Sequence, residues 1–408
     1  MTLILLVFKH LPVFWTREGA KAMRHHNSVL HGLLKHIPWS VFDDLVDEHR
    51  ADTRVRSLST KSQFVALLYA QLAGAVSLRE IETAMQSHSD KLYHLGTREV
   101  SRSTLADANR LRPHAVFSGL FSHMAALAGG ARRGTGDMVR LIDSTSIKLA
   151  GVASEWARFS KSVYGAKAHI IYDPDADAPL YLEVTAANVN DITPAKAMPI
   201  EAGATYVFDL GYYDFAWWAS MDEAGCRLVT RMKTHSKLSL IRELALPEGS
   251  GLLHDRIGHL NNRLGDGRPN PFKDPVREIG VVCDDGRTLR LLTNDLDAPA
   301  QEIADLYKRR WAIELFFRWV KQTLKIKHFL GRSENAVRIQ IAVALIAYLL
   351  LRMAKEAGKI TGSPLAFARL VRANLMHRRQ IDKLARPAPP QPYDSRQLTL
   401  DLMMTQCS

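Results

Sequence analysis

Apolar residues recur at helical spacing through residues 23 to about 130. Thr60–Leu72 carries them three to four positions apart, and the same spacing continues over Leu78–Gln86 after the break at Gly74. A third helix, rich in Ser, Thr, Asn and Arg, is predicted over Ser103–Leu111. This succession of short helices and a glycine turn is compatible with a helix-turn-helix that reads DNA. A helical packing domain would show the same pattern, so both interpretations stay open.

A glycine-rich linker, Gly129–Gly136, separates these helices from a different pattern. Short runs of β-branched and aromatic residues follow it, divided by turn residues, and they predict strands. These runs are Val139–Asp143, His169–Tyr172, Leu180–Thr185, Thr205–Asp209 and Cys226–Met232. Helices are predicted between the later strands, over Pro194–Ile200 and Tyr213–Ala224. Strands that come first and then alternate with helices favour an α/β fold, a mixed sheet flanked by helices.

The last third of the chain begins with a segment of turns and few helical signals, residues 235–290, which we interpret as a β-rich insertion. Leu289–Thr293 is predicted to be a strand that returns the chain to the main sheet. A long helix is expected from Ala300 to Leu324. The apolar run Ile341–Leu351 is too short for a membrane span, which needs about 20 residues. It predicts a buried core helix, and no membrane partner is expected.

The ends of the chain are expected to lie outside the folded domains. Residues 1–22 could be a translation extension, because Met23 precedes the first periodic stretch and the apolar run before it is too short for a signal peptide. Residues 387–408 are Pro-rich and predict a flexible tail. Two domains are therefore predicted between these ends, a helical N-terminal domain over residues 23–130 and an α/β domain over residues 138–386.

Charge narrows the class of partner. The chain has 54 Lys and Arg against 42 Asp and Glu, a net charge of +12, which favours a polyanion and nucleic acid first. Its three cysteines exclude a disulfide framework and a cysteine-based zinc module, so a reducing cytoplasm is the expected location.

Two aspartates stand where α/β sheets place their sites. Asp143 and Asp209 each end an apolar run predicted to be a buried strand. Carboxylates on adjacent strands could hold Mg²⁺, which prefers oxygen ligands and keeps positions open for phosphates. Each aspartate taken alone could equally cap a turn.

A third carboxylate lies on the predicted long helix. At about 100° per residue, four polar residues of this helix share a stripe roughly 60° wide. They are Tyr307, Arg310, Glu314 and Lys321. Such a stripe is either an exposed salt-bridge ladder, worth about 0.2–0.5 kcal/mol per pair, or a metal-binding glutamate flanked by phosphate-binding cations. Four bulky aromatics on the same helix imply close packing on the core, which favours the second interpretation; they are Trp311, Phe316, Phe317 and Trp319.

These residues resemble those of a known family. The spacing Tyr307-x2-Arg310-x3-Glu314-x6-Lys321 matches the Y-x2-R-x3-E-x6-K signature of bacterial insertion-sequence transposases of the insertion-sequence-four type. With it, Asp143 and Asp209 look like the two aspartates of DDE transposases, whose catalytic domain has an RNase H-like fold. The helices before the linker resemble the accessory N-terminal domain of one subgroup.

The resemblance implies a mechanism, partners and a location. Asp143, Asp209 and Glu314 would bind two Mg²⁺ ions about 3.5–4 Å apart, with Mn²⁺ able to substitute. The enzyme would hydrolyse phosphodiesters at the ends of the element and join the 3′-hydroxyls to target DNA. Arg310 and Lys321 would hold phosphates, and Tyr307 would contact a phosphate or position the helix. The implied partners are double-stranded DNA, both terminal inverted repeats and target, and a second copy in a synaptic homodimer, in the bacterial cytoplasm near the nucleoid.

Several weaker candidates accompany this site. Arg318 belongs to the basic cluster around Glu314, while Arg231 and Lys233 at a strand end could contact DNA phosphates or be solvated. Asp191 could be an outer-shell ligand, although an Asx-turn explains it more simply. Trp311, or Trp217 with Trp218, could stack on a base, but a core role is favoured. Two alternative functions remain: an RNase H-like nuclease without strand transfer, and a catalytically decayed DNA-binding protein.

Overall fold

The computed structural model describes residues 27–130, 138–149, 155–157, 164–247, 249–264, 267–283, 286–324 and 329–384. The predicted extension at residues 1–22 and the predicted tail at residues 387–408 lie outside these ranges, as does most of the glycine-rich linker.

Within residues 27–130, seven α-helices precede the linker. They are α1 Val29–Leu34, α2 Trp39–Glu48, α3 Thr60–Ala73, α4 Leu78–Ser87, α5 Ser89–Leu92, α6 Arg102–Leu111 and α7 Ala115–Gly130. The three predicted helices are thereby confirmed as α3, α4 and α6. Local chemistry sets their ends: Ser77 accepts a hydrogen bond from the Glu80 amide at 3.2 Å, and the Glu80 carboxylate accepts one from the Val76 amide at 2.9 Å. Helix α7 includes Gly129 and Gly130, so the start of the predicted linker is helical.

Nine strands follow and form one mixed sheet. They are β1 Val139–Lys148, β2 Gly165–Asp173, β3 Ala178–Ala186, β4 Thr205–Phe208, β5 Arg227–Arg231, β6 Leu238–Glu243, β7 Leu252–Leu260, β8 Val276–Val282 and β9 Thr288–Thr293. Their order is β3-β2-β1-β4-β5-β9-β8-β7-β6. The first three strands are antiparallel, and β4 and β5 then run parallel to β1. This is the RNase H-like arrangement that the resemblance implied.

The predicted insertion extends this sheet. Strands β6, β7 and β8 pair antiparallel with one another, and β9 joins them to β5. Residues 235–290 are therefore β-rich as expected, and the predicted strand Leu289–Thr293 does return the chain to the main sheet.

Six further helices cover the sheet. They are α8 Ile192–Ala195, α9 Phe215–Glu223, α10 Ala300–Arg309, α11 Trp311–Thr323, α12 Glu334–Ala357 and α13 Pro364–Asn374. Helix α9 packs on one face through Trp217 and Trp218, which are 4% and 0% exposed, so their predicted core role is confirmed. Helices α10, α11 and α12 lie on the other face, and α13 packs against α11, α12 and α3.

Two helix predictions were wrong in extent. The helix expected over Pro194–Ile200 is one turn, because a proline at position 199 blocks its continuation. The long helix expected from Ala300 to Leu324 is divided at Arg310. There the amides of Arg310 and Ile313 bond to carbonyls only three residues back, at 3.1 and 3.2 Å, which tightens the chain locally.

Helix α12 is the central helix of the molecule. It is long and apolar enough to cross a membrane, but 83% of its most apolar window is buried inside the fold. The predicted buried core helix is thereby confirmed. Helices α3, α6 and α7 pack against α12, and the hydrophobic core is continuous from the N-terminal helices to α13. The helical N-terminal segment therefore shares its core with the α/β segment.

Asn335 links the two segments through hydrogen bonds. Its amide nitrogen donates to the carbonyls of Asn109 and Arg112 at 3.0 and 2.6 Å, and its oxygen accepts from the His114 amide at 3.1 Å. Replacing Asn335 by Ala should leave these groups without partners and lower the free energy of unfolding by about 2–3 kcal/mol, measured by urea denaturation. The neighbouring Glu334→Ala, which removes a half-exposed carboxylate and its pair with a residue one turn on, should cost less than about 1 kcal/mol. Equal losses would contradict this role of Asn335.

Candidate active site

The sheet brings Asp143 and Asp209 side by side. The parallel pairing of β1 with β4 ends at Ile142 opposite Phe208, and the two aspartates are the next residues on their strands. Asp209 ends its strand as predicted. Asp143 does not, because β1 continues to Lys148 through antiparallel pairing with β2. The two carboxylates therefore lie where the parallel ladder stops.

Burial dominates the electrostatics of Asp143. Its side chain is 18% exposed and accepts a hydrogen bond from the Ser144 amide at 2.7 Å. The pKa of Asp143 is raised to about 7, mainly by burial and also by the nearby Asp209 and Glu314, while the Ser144 amide and Arg310 act to lower it. Burial therefore makes the charged form of Asp143 costly at neutral pH.

Arg310 connects the remaining carboxylate to this pair. Its Nη2 lies 2.6 Å from Glu314 Oε1 and its Nη1 lies 3.5 Å from Asp143 Oδ2, so one guanidinium bridges both side chains. Its guanidinium carbon is 5.7 Å from the centre of the Tyr307 ring. Burial raises the pKa of Tyr307, while the adjacent Arg310 and Arg231 lower it and Asp209 raises it. The predicted residues Asp143, Asp209, Glu314, Tyr307, Arg310 and Arg231 thus lie around one site.

The other predicted cations lie further out. Lys321 is in the last turn of α11, half-buried and roughly 10 Å along the helix from Glu314. Arg318 is exposed and faces the ring of Trp311 at 6.0 Å, and Lys233 is exposed over the ring of Tyr213 at 4.2 Å. Trp311 itself is 51% exposed, so the core role predicted for it is wrong. These side chains border the site and leave its centre to the carboxylates.

Aromatic packing places Glu314 over β1. Phe316 contacts Tyr172 of β2 and Tyr348 of α12, with ring centres 4.9 and 5.0 Å apart, and Trp319 also packs on Tyr348 at 5.0 Å. These side chains point away from Glu314, as the helical spacing predicted. Because these aromatic side chains dock one side of α11 on the fold, the opposite side of the helix carries Glu314.

Tyr212 is a site residue that the sequence reasoning missed. It follows Asp209 by three positions, is 1% exposed, and has a hydroxyl close enough to Asp143 and Asp209 for both to raise its pKa, after burial as the main cause. Its position just after a strand-end aspartate was the only signal in the sequence.

The donor set fits a hard divalent cation. All three carboxylates offer oxygen ligands, and burial makes the charged form of Asp143 costly, a cost that a bound cation would offset. Within the described ranges, no three His, Cys, Asp or Glu side chains lie close enough together to coordinate one metal ion as they stand. Arg310 lies between Asp143 and Glu314, where it pairs with both.

Comparisons with known proteins identify the family of the chain. A family model described as the transposase DDE domain matches residues 134–350, and a second, described only as a domain of unknown function, matches residues 25–98. A putative transposase of Sinorhizobium fredii, y4zB, is 44% identical over 293 residues, 72% of this chain and 82% of the relative. A probable transposase for insertion sequence element IS5377 of Geobacillus stearothermophilus is 32% identical over 57% of this chain and 61% of the relative.

A solved structure was also found, a chain of the piggyBac transposase synaptic complex with hairpin DNA, at 11% identity and a TM-score of 0.46 over 94% of this chain and 86% of that one. The family match covers just over half of the chain and includes both aspartates and Glu314. The chain belongs to the DDE transposases of insertion sequences, enzymes of DNA transposition.

Proposed function

We propose that Asp143, Asp209 and Glu314 are the catalytic carboxylates of this transposase and that they hold Mg²⁺, or Mn²⁺ in its place. The observation that carries the proposal is the bridge of Arg310 between Asp143 and Glu314, beside the end of the β1–β4 ladder. It joins residues that are far apart in the sequence at one buried, negatively charged point. When bound, the cations would activate the attacking oxygen and stabilise the leaving oxygen of a phosphodiester.

Arg310 supplies the positive charge of this site. In the structure it pairs with both Asp143 and Glu314, and it is largely buried, with a side chain 16% exposed. A planar guanidinium also binds phosphate through two parallel hydrogen bonds. We assign Arg310 to the phosphate at the cleaved bond once DNA is bound.

Tyr307 and Arg231 extend the same phosphate-binding surface. The Nε of Arg231 is buried without a hydrogen-bond partner in the described part of the chain, so it retains a donor for a ligand. Tyr307 packs under Arg310 and keeps that side chain against the carboxylates. Arg318, Lys233 and Lys321 form the outer part of the surface, where they follow the DNA backbone.

The N-terminal helices are assigned to a second contact with DNA. The axes of α3 and α4 differ by 101°, within the range of about 90–120° found in helix-turn-helix motifs. Helix α6 follows them, begins at the Ser101 cap and exposes Arg102 and Arg110. We propose that this face contacts the terminal inverted repeat.

Two active sites are needed to process the two ends of an element together. We therefore propose that the enzyme acts as a homodimer on paired terminal repeats, in the cytoplasm where bacterial DNA lies. Its family and its net charge of +12 support DNA as the partner.

A plasmid assay tests the proposed activity. Supercoiled plasmid that carries the gene with its flanking DNA would be incubated with the protein and Mg²⁺, and both cut ends and joined products would be counted. We expect both. Cleavage without joined products would favour the RNase H-like nuclease, and binding without cleavage would favour the decayed DNA-binding protein.

Lys321 should contribute one phosphate contact. Replacing Lys321 by Ala is expected to weaken DNA binding and to reduce the slope of log affinity against log salt by about 0.9. The measurement is fluorescence anisotropy with labelled DNA over a salt series. Lys359→Ala, which changes an exposed lysine beyond the end of α12, is the matched control and should leave the slope unchanged. An unaltered slope in Lys321→Ala would show that Lys321 contacts no phosphate.

A further inference from the structure

A second polar cluster lies behind the carboxylates, on the opposite face of the sheet from Glu314. Along β1, Leu141 faces the core that α11 joins, and Ile142 faces the core that α9 joins. Side chains alternate along a strand, so Ser144 points to the same face as Ile142, away from Asp143. The Ser144 hydroxyl donates to Asp191 Oδ1 at 2.8 Å. Asp191 immediately precedes α8 and therefore reaches β1 from behind the site.

Asp191 also binds side chains of β2. Lys167 Nζ donates to Asp191 Oδ1 at 3.0 Å and to the carbonyl of Val189 at 2.9 Å. His169 is fully buried opposite Ser144, with Nδ1 3.7 Å from the same Asp191 oxygen and Nε2 2.8 Å from the Thr185 hydroxyl. One carboxylate oxygen thus joins two adjacent strands to the chain that leads into α8.

The second oxygen of Asp191 lies at the turn that carries Asp209. The Gly211 amide donates to Asp209 Oδ1 at 2.8 Å. A Cβ at position 211 would lie 3.1 Å from Asp209 Oδ1 and 3.4 Å from Asp191 Oδ2. The backbone of Gly211 therefore passes between the two carboxylates, and glycine allows them to approach it this closely.

Tyr212 directs a buried donor into the same cluster. Its hydroxyl is buried, since the residue is 1% exposed, and it lies within reach of the Ser144 hydroxyl. Burial raises the pKa of Tyr212 well above its ordinary value, and Asp143, Asp191 and Asp209 each raise it further. The hydroxyl stays protonated near all three carboxylates, so it can donate a hydrogen bond to one of them.

We propose that Asp191 is a positioning residue of the reaction, which holds Asp143 and Asp209 at the separation that the catalytic cations require. It acts through Ser144, which follows Asp143, and through the Gly211 turn, which holds Asp209. Lys167 balances its charge. Its place behind β1, away from Glu314, gives it no contact with the reacting phosphate. This inference rests on the proposed role of Asp143 and Asp209.

Direct titration with Mn²⁺ tests the inference without relying on activity alone. Electron paramagnetic resonance would measure Mn²⁺ affinity in the full chain, and plasmid cleavage would give kcat and KM. Asp191→Ala should lower Mn²⁺ affinity about 10–100-fold, the usual effect of losing an outer-shell partner. It should lower kcat to a similar degree and leave KM for DNA within about twofold, because no DNA contact is lost.

Matched variants separate positioning from folding. Asp191→Asn keeps the oxygen that accepts from Ser144 and Lys167, so it should restore most of the Mn²⁺ affinity. Ser144→Ala removes the hydrogen bond to Asp191 and should lower kcat by a smaller factor than Asp191→Ala. It keeps the test informative if Asp191→Ala folds poorly. Asp214→Ala is the control, since Asp214 also pairs with a lysine, at 2.7 Å, but caps α9. It should lower stability and leave Mn²⁺ affinity unchanged.

Three outcomes would overturn the inference. The first is wild-type Mn²⁺ affinity in a folded Asp191→Ala variant. The second is an Asp191→Asn variant whose Mn²⁺ affinity is as low as that of Asp191→Ala, because the charge of Asp191 would then matter and its hydrogen-bond geometry would not. The third is a Ser144→Ala variant with unaltered kcat, which would remove the link to Asp143.

If Asp209→Asn binds Mn²⁺ as tightly as the wild type, the proposed metal site itself is wrong. A loss in Asp209→Asn without one in Asp191→Ala rejects the positioning role alone.

Discussion

Asp143→Asn, Asp209→Asn and Glu314→Gln should each lower the rate of plasmid cleavage at least about 1,000-fold. Each substitution keeps the size of the side chain and removes one of the negative charges that hold the catalytic cations. Those cations contribute several kcal/mol to the stabilisation of the transition state, and each 1.36 kcal/mol corresponds to a tenfold change in rate. Agarose-gel assays of supercoiled plasmid cleavage with Mg²⁺ measure the effect.

DNA affinity is the control for this prediction. The three variants should bind DNA within about threefold of the wild type in EDTA, because the cationic surface is unaltered. Asp175→Asn changes an exposed aspartate whose pair with Arg309 lies outside the site, and it should cleave at the wild-type rate. A substitution among the three that retains wild-type cleavage would remove that residue from the catalytic set.

Asp143→Asn should also make the metal-free protein more stable above neutral pH. Burial raises the pKa of Asp143 from 3.8 to about 7 in the folded protein. A raised carboxyl pKa favours the folded state below the unfolded pKa, near 3.8, and this contribution is lost as the pH rises to about 7. Asparagine carries no such charge, so at pH 8 the variant should exceed the wild type by on the order of 2–4 kcal/mol.

Urea denaturation in EDTA at several pH values measures this effect. Between pH 5 and pH 8 the difference in free energy of unfolding between Asp143→Asn and the wild type should grow by about 2–3 kcal/mol. The growth comes from the part of this range that lies below the folded-state pKa of Asp143. Asp175→Asn should show no comparable growth. Parallel stability curves for Asp143→Asn and the wild type would mean that burial of the charged form is not costly. We therefore expect Asp143→Asn to lose cleavage activity and to gain stability. This combination indicates a residue that serves the reaction at a cost in stability.

Much of the local structure could be predicted because its causes are local. The capping box at Ser77 and Glu80 and the apolar spacing of α3 depend on residues three or four positions apart. The same periodicity placed Tyr307, Arg310 and Glu314 on one face, and the structure brings them to one site. The β-rich insertion was recognisable from its turns, since turn residues act over two to four positions.

Features that depend on distant partners were predicted incompletely. Asp143 was expected at a strand end, but β2 pairs with β1 beyond it, and that pairing is formed by residues 17 to 25 positions away. The insertion was expected to be β-rich, but the sequence did not indicate that its strands extend the main sheet through β9. The break at Arg310 was not foreseen, because bonds to carbonyls three residues back leave no mark in side-chain spacing.

The sequence by itself determined the element types, the basic character of the chain, and which carboxylates and cations belong to the family signature. Only the tertiary structure decided that Arg310 bridges Asp143 and Glu314, that the N-terminal helices enclose α12, and that Asp191 supports the carboxylates from behind. The physical reason is range. Helical periodicity and capping are set by neighbours along the chain, whereas strand order and buried ion pairs form only when distant segments close on one another.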